Sequence, residues 1–226
     1  MKLARPGAVL FDWDGTLVDS FPVIHRALND TLTAMGLSRW GAEEARRRIG
    51  PSLRDYFPAF FGDRWPDARA IYQSSYAAHH LEALRPLPGA DELLSAFAAG
   101  GVYLGVVSNK SGHFLRREAR HLGWERYFGR LVGATDAAED KPAVAPVRLA
   151  LEGSGIAPGP EVWFVGDDPV DLACARNAGC VPILLGPAAR SDPLQGTPGA
   201  WRFPDCGALA ALVPCLLRTI STVSTV

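Results

Sequence analysis

Short apolar runs rich in valine, leucine and aromatic residues recur along the chain at Ala8–Phe11, Val102–Val107, Leu131–Gly133, Val162–Val165 and Val181–Leu185. Runs of this kind predict buried strands. Between most of them the apolar positions shift to a period of about 3.6 residues. One such stretch carries Leu93, Leu94 and Phe97 ahead of Gly100, and a second carries Phe114, Leu115, Ala119 and Leu122 ahead of Gly123. A third runs from Pro146 through Leu149 and Leu151 to Gly153, and a fourth from Asp171 through Leu172 and Ala175 to Gly179. Each ends at a glycine able to take the left-handed cap of a helix. Strand and helix therefore alternate, and parallel neighbours need a crossover of about a dozen residues or more. The pattern predicts an α/β fold with a doubly wound parallel sheet of five strands and helices on both faces.

The segment Ser20 to Pro86 breaks this rhythm. It has no β-branched run and is rich in alanine, arginine and aromatics, among them Trp40, Phe57, Phe60, Phe61, Trp65, Tyr72 and Tyr76. It reads as a helical insert after the first strand, giving a core of residues 1–19 and 87–226 and an insert of residues 20–86. Ser20 is a candidate N-cap with Pro22 in the first turn, and the exit is the proline-rich run Arg85-Pro86-Leu87-Pro88-Gly89. Both ends are candidate hinges. The closing run Ile220–Val226 is expected to fray.

Composition narrows the partners. A net charge of −1 gives no electrostatic reason to expect nucleic acid or an anionic membrane. No stretch approaches the roughly 18 apolar residues of a membrane span, and the apolar run near Met1 stops at Asp12, too short for a signal-peptide core. A cytoplasmic location and a small-molecule partner are the expectation; monomer and homodimer fit equally. Cys174, Cys180, Cys206 and Cys215 form no CxxC pair and read as buried thiols. The five histidines form no recognisable arrangement. Counted separately, the insert carries about +2 and the core about −3, which suits an anionic ligand held through a cation. Lysine occurs only at Lys2, Lys110 and Lys141 against 20 arginines, so each internal lysine calls for an explanation.

The candidate chemistry lies where strands end. Asp12 and Asp14 follow the first strand, two residues apart, and an extended segment aims both the same way. Two carboxylates at about 4 Å repel by about 4 kcal/mol at an effective dielectric near 20, so such a pair calls for a metal or a shared proton. An Asp-Gly turn is the competing reading. The fourth strand ends in Gly166-Asp167-Asp168-Pro169-Val170-Asp171. Ligands of doubly wound sheets bind outside the carboxyl ends of strands, so these acids can converge with the first pair. Asp171 alone also fits a helix N-cap. Ser108, Asn109 and Lys110 end the second strand, and Asp140-Lys141-Pro142 follows the third.

Taken in order, Asp12-Trp13-Asp14-Gly15-Thr16-Leu17, Ser108, Lys141 and Gly166-Asp167 to Asp171 resemble the four motifs of the haloacid dehalogenase superfamily. Its core is Rossmann-like, and the insert resembles its helical type 1 cap. The wording DGTLVDS, the Pro-Gly before the second motif and the Ser-Asn-Lys triplet are most similar to phosphoglycolate phosphatases and related small-molecule phosphatases.

The resemblance implies a covalent phosphatase acting on a small phosphorylated metabolite. Asp12 would attack phosphorus, Asp14 would serve as acid and base, Ser108 would bond the phosphoryl oxygens and Lys141 would neutralise developing charge. Asp12, the Asp14 backbone carbonyl and Asp167 would hold Mg²⁺, with Asp171 in support. Asn109 and Lys110 would orient substrate, although Lys110 also fits a helix start. The loop Ile49-Gly50-Pro51-Ser52-Leu53-Arg54 resembles the cap's specificity loop, so Arg54 or Arg48 would meet a substrate carboxylate or second phosphate; a solvated helix face is the alternative. Two departures stand out: Lys141-Pro142-Ala143 replaces a KPxP run, and Asp168 stands where a hydroxyl residue is common. Asp14 argues against dehalogenation, whose halide leaves without a proton, and an insert without lysine argues against phosphonatase chemistry. A sugar phosphomutase and a non-catalytic phosphate sensor are the remaining alternatives.

Overall fold

The computed structural model describes residues 3–48, 52–186 and 200–217. Ile49, Gly50 and Pro51 of the expected specificity loop, and the tail Ile220–Val226, lie outside the described residues. After β1 (Ala8–Phe11), a two-residue strand β2 (Val18–Asp19) leads into α1 (Phe21–Ala34), α2 (Ala42–Arg48), α3 (Leu53–Phe61) and α4 (Trp65–Ala83). The chain returns through β3 (Arg85–Pro86), which pairs antiparallel with β2. Four helices thus leave and re-enter through one narrow ribbon. They share their own apolar centre, built on Val23, Leu32, Trp40, Phe57, Tyr72 and Tyr76.

Beyond the ribbon come α5 (Ala90–Ala99), β4 (Tyr103–Ser111), α6 (Gly112–His121), β5 (Arg130–Ala134), α7 (Ala145–Leu151), β6 (Val162–Gly166), α8 (Pro169–Asn177) and β7 (Val181–Leu185). They are followed by β8 (Trp201–Phe203), α9 (Cys206–Ala210) and α10 (Val213–Leu217). The strands form one six-stranded sheet, all parallel, in the order β5-β4-β1-β6-β7-β8. β1 is central and buried throughout, and its side chains alternate between the two faces as a pleated strand must. Val9 and Phe11 pack under α5, α6, α9 and α10, whereas Ala8 and Leu10 pack under α7 and α8. This is the doubly wound α/β arrangement the apolar runs imply.

Three details depart from the sequence reading. The sheet has a sixth strand: β8 is three residues long and only partly buried, so it leaves no apolar run to read. β4 extends beyond Val107 to Ser111, with a register shift against β5 in that stretch. The left-handed turn after α5 falls on Gly101 (φ 70°), while Gly100 keeps φ −80°.

Candidate active site

The loop between β1 and β2 is pinned from inside. Trp13 is fully buried, packs edge-on against Trp124 with ring centroids 5.8 Å apart, and turns Asp12 and Asp14 away from the core. The Asp12 N–H donates to the Val165 carbonyl at 2.8 Å, so the pairing of β1 with β6 continues one residue into the loop. Gly15 adopts φ +85°, a region that favours glycine. A Cβ there would lie 2.4 Å from Asp167 Oδ2, so the loop approaches the β6 end closely only because residue 15 has no side chain.

Five of the expected chemical residues, Asp12, Asp14, Ser108, Lys141 and Asp167, line one cavity of about 1250 Å³ between core and insert. Lys141 Nζ donates to Asp12 Oδ1 and Asp171 Oδ1, both at 2.7 Å. Asp171 Oδ2 accepts the backbone N–H of Asp167 at 3.2 Å and of Asp168 at 3.1 Å. Asp171 thus anchors the lysine and holds the turn after β6 at the same time. Asp168 resolves as the N-cap of α8: it accepts from the Val170 N–H at 2.9 Å and forms a capping box with Asp171. Thr16 donates to Asp167 Oδ1 at 2.8 Å.

Asp14 faces a different cation. Its Oδ1 accepts from Lys110 Nζ at 2.5 Å and from the Ser20 hydroxyl. Ser20 does begin α1, but it makes no side-chain cap bond, because its hydroxyl is spent on Asp14. The two acids of the first motif are thereby paired with different cations, one on each internal lysine. Ser108 is buried with its Oγ accepting from the Lys110 N–H at 3.1 Å.

The other expected residues sit as follows. Asn109 bonds both sides of the Lys141 backbone, accepting from its N–H at 3.0 Å and donating to its carbonyl at 3.3 Å, so its amide fixes the lysine loop. Arg48 lines the cavity, pairs with Glu44 at 3.1 Å and lies over the Trp40 ring. Arg54 does not line this cavity. Its guanidinium reaches the core instead and pairs with buried Asp140 at 2.9 Å. With Asp140 and Lys141 it lines a second, smaller cavity, held there by that ion pair.

Glu118 was not singled out by the sequence reading. It is fully buried on α6 and accepts from Trp13 Nε1 and Tyr76 OH at 2.7 Å, His80 Nδ1 at 2.9 Å and Lys110 Nζ at 2.6 Å. A signal existed: residue 118 falls on the apolar stripe of Phe114, Leu115, Ala119 and Leu122, where a solvated glutamate does not belong.

The electrostatics follow from crowding. Burial, together with the charge of Asp171, pushes Asp12 up to about 6 against the pull of Lys141. Burial also raises Asp14, with Lys110 opposing and Glu118 and Asp12 reinforcing. Asp167 is raised well above the carboxylate range by burial and by the charges of Asp12 and Asp171. Lys110 and Lys141 are held above the usual lysine value, because their carboxylate partners outweigh burial. For Glu118, burial is overcome by Lys110 and by the bonds from His80, Lys110 and Tyr76, which hold it at about 2.

Asp12, Asp167 and Asp171 bring ligand oxygens within 4.8 Å of one another. Asp171 already serves Lys141 and two backbone N–H groups, so Asp12 and Asp167 are the carboxylates that fit a hard divalent cation. The Asp14 side chain is not in this group, being turned to Lys110 and Ser20; any contribution of residue 14 to a metal falls to its backbone carbonyl.

Comparison with known proteins gives the family. The family model described as haloacid dehalogenase-like hydrolase matches residues 9–184. The chain belongs to that family. Among curated relatives, a phosphoglycolate phosphatase of Rhodospirillum rubrum is 32% identical over 216 residues, covering 90% of this chain and 89% of its own. An N-acetylmuramic acid 6-phosphate phosphatase of Pseudomonas aeruginosa is 33% identical over 184 residues, covering 79% and 81%. In fold, the chain is similar to a crystal structure described as a predicted phosphoglycolate phosphatase from Haemophilus somnus, with TM-score 0.81, 24% identity, and coverage of 93% and 99%. Among the described residues, no helix is long and apolar enough to cross a membrane.

Proposed function

We propose that this haloacid dehalogenase-like hydrolase is a Mg²⁺-dependent phosphatase that cleaves a small-molecule phosphate monoester through an aspartyl phosphate at Asp12. The observation that carries the reading is the division of the first-motif acids between two lysines, Asp12 on Lys141 and Asp14 on Lys110. Lys141 favours the ionised Asp12 that attacks, while burial, working against Lys110, raises Asp14 towards carrying a proton. An Asp12 oxygen forms a bond to phosphorus while the ester P–O bond breaks, and Asp14 gives its proton to the departing oxygen. Asp14 then takes a proton from water as that water attacks phosphorus, the P–O bond to Asp12 breaks, and both acids return to their starting states. Lys141 and the buried Ser108 hydroxyl oppose the charge on the phosphoryl oxygens. When bound, Mg²⁺ at Asp12 and Asp167 supplies Lewis-acid neutralisation of the transferring group and offsets the crowding that raises both carboxyls.

The substrate class we favour is a phosphate ester of a carboxylic acid, of the phosphoglycolate kind. Both enzymes named above act on such esters by their names, and Arg46, Arg47 and Arg48 of α2 line the same cavity as the acids. We assign the carboxylate to these arginines in place of Arg54.

Phosphate release measured on phosphoglycolate, sugar phosphates, nucleoside monophosphates and pyrophosphate tests the proposal. Wild type with Mg²⁺ is expected to turn over at least one ester, and Asp12→Asn to lose at least about a thousand-fold in kcat. An Asp12→Asn variant as active as wild type would remove the nucleophile.

A further inference from the structure

Glu118 is a fully buried carboxylate whose two oxygens face two different parts of the molecule. Oε1 accepts from Tyr76 OH at 2.7 Å and His80 Nδ1 at 2.9 Å, both on α4 of the helical insert. Oε2 accepts from Trp13 Nε1 at 2.7 Å, on the loop after β1, and from Lys110 Nζ at 2.6 Å, near the end of β4. The same Lys110 Nζ reaches Asp14 Oδ1 at 2.5 Å and lies 5.2 Å from the centre of the Tyr76 ring. A continuous chain of short polar contacts thus runs from the insert, through Glu118 and Lys110, to Asp14.

Packing alone does not call for a charge here. The neighbours of Glu118 on its helix face, Phe114, Leu115 and Ala119, are buried and apolar, and a leucine would continue their stripe. Taking a carboxylate out of water costs several kcal/mol and is tolerated only with several donors in good geometry. Four donors meet that need, and three of them, Trp13, Lys110 and Tyr76, also border the cavity or the loop that shapes it. Lysine is a flexible point charge on a four-carbon stem with three donors. Held by one carboxylate it can swing; held between two, its Nζ has one place to sit.

We propose that Glu118 is a positioning residue: it fixes Lys110 against the proton carrier Asp14, and does so in full only when Tyr76 and His80 of the insert are docked on its other oxygen. This rests on the phosphatase reading above. It makes the placement of Asp14 depend on the seating of the insert, through a residue that touches neither substrate nor metal.

The test compares kcat and KM on two esters, the best alkyl phosphate of the panel and p-nitrophenyl phosphate, whose leaving group departs without a proton. Positioned acid catalysis contributes about 10²- to 10⁴-fold, so Glu118→Gln is expected to lower kcat on the alkyl ester by about 100-fold. On p-nitrophenyl phosphate it is expected to lose less than about a tenth of that factor, with KM on both esters within about twofold of wild type. Tyr76→Phe removes a single oxygen on the insert side and is expected to show a smaller loss with the same preference for the alkyl ester. Equal losses on both esters, or unchanged kcat in a folded Glu118→Gln, would overturn the inference. So would a Tyr76→Phe ratio of alkyl to aryl kcat equal to that of wild type, which also covers a Glu118→Gln chain that fails to fold. A wild type silent on both esters would overturn the phosphatase reading and this inference with it; an active wild type with equal variant losses on the two esters would overturn this inference alone.

Discussion

At residue 15 the absence of a side chain decides the geometry of the site. Gly15 combines φ +85° with a Cβ position 2.4 Å from Asp167 Oδ2. Gly15→Ala therefore has to move the acid that fits the metal, and adds about 1 kcal/mol or more of backbone strain. Calorimetric titration with Mg²⁺ is expected to show weakened affinity, and thermal denaturation a lower Tm. Unchanged affinity would show that the loop and Asp167 are not in contact in solution. Asp12, Ser108 and Asp167 were legible in the sequence because apolar runs stop where they begin, and Lys141 because lysine is scarce in this chain. Ser20 and Glu118 were not, for opposite reasons. Ser20 looks like an ordinary helix cap, and nothing local reveals that its hydroxyl turns to Asp14. Glu118 is hidden among the charges of Arg116, Arg117 and Arg120, although the helical period places it inward.

At the level of single elements, the apolar period located the core strands and helices, but it could not show how an element end is tied. The start of α8 is the clearest case. Asp168 caps it, Asp171 closes the capping box, and the same Asp171 holds Lys141 at 2.7 Å. Asp171→Ala removes a buried partner of a buried lysine along with half of the capping box. The expected cost is about 3–5 kcal/mol, or roughly 10 °C in Tm for a chain of this size, read by thermal denaturation. A fall of under about 2 °C would show that Lys141 finds an equivalent anchor. β8 and the ribbon of β2 and β3 escaped the reading because two or three residues, partly exposed, carry no period.

For the molecule as a whole, the insert and the core meet through charge as well as through apolar packing. Arg54 reaches Asp140 across the boundary, and Tyr76 and His80 reach Glu118. Long-range pairings of this kind are invisible in a sequence, since 42 residues separate Tyr76 from Glu118 and 86 separate Arg54 from Asp140. The Glu118 contacts also give stability a pH dependence. Its carboxyl is held at about 2 when folded against an ordinary value of 4.5. A depressed value means stabilisation fully present above 4.5 and lost as pH falls towards 2. The Tm advantage of wild type over Glu118→Gln is therefore expected to hold at neutral pH and to shrink across that window. An advantage that grows on acidification would contradict it.

The central claim is that Asp12 becomes phosphorylated, and chemical trapping tests it most directly. Enzyme mixed with its best ester and Mg²⁺ is quenched within one turnover, reduced with borohydride, which converts an acyl phosphate to homoserine, and mapped by mass spectrometry. The account predicts homoserine at position 12, dependent on both ester and Mg²⁺ and absent from Asp12→Asn. Steady phosphate release with residue 12 unmodified, or with homoserine at another carboxylate, would contradict it.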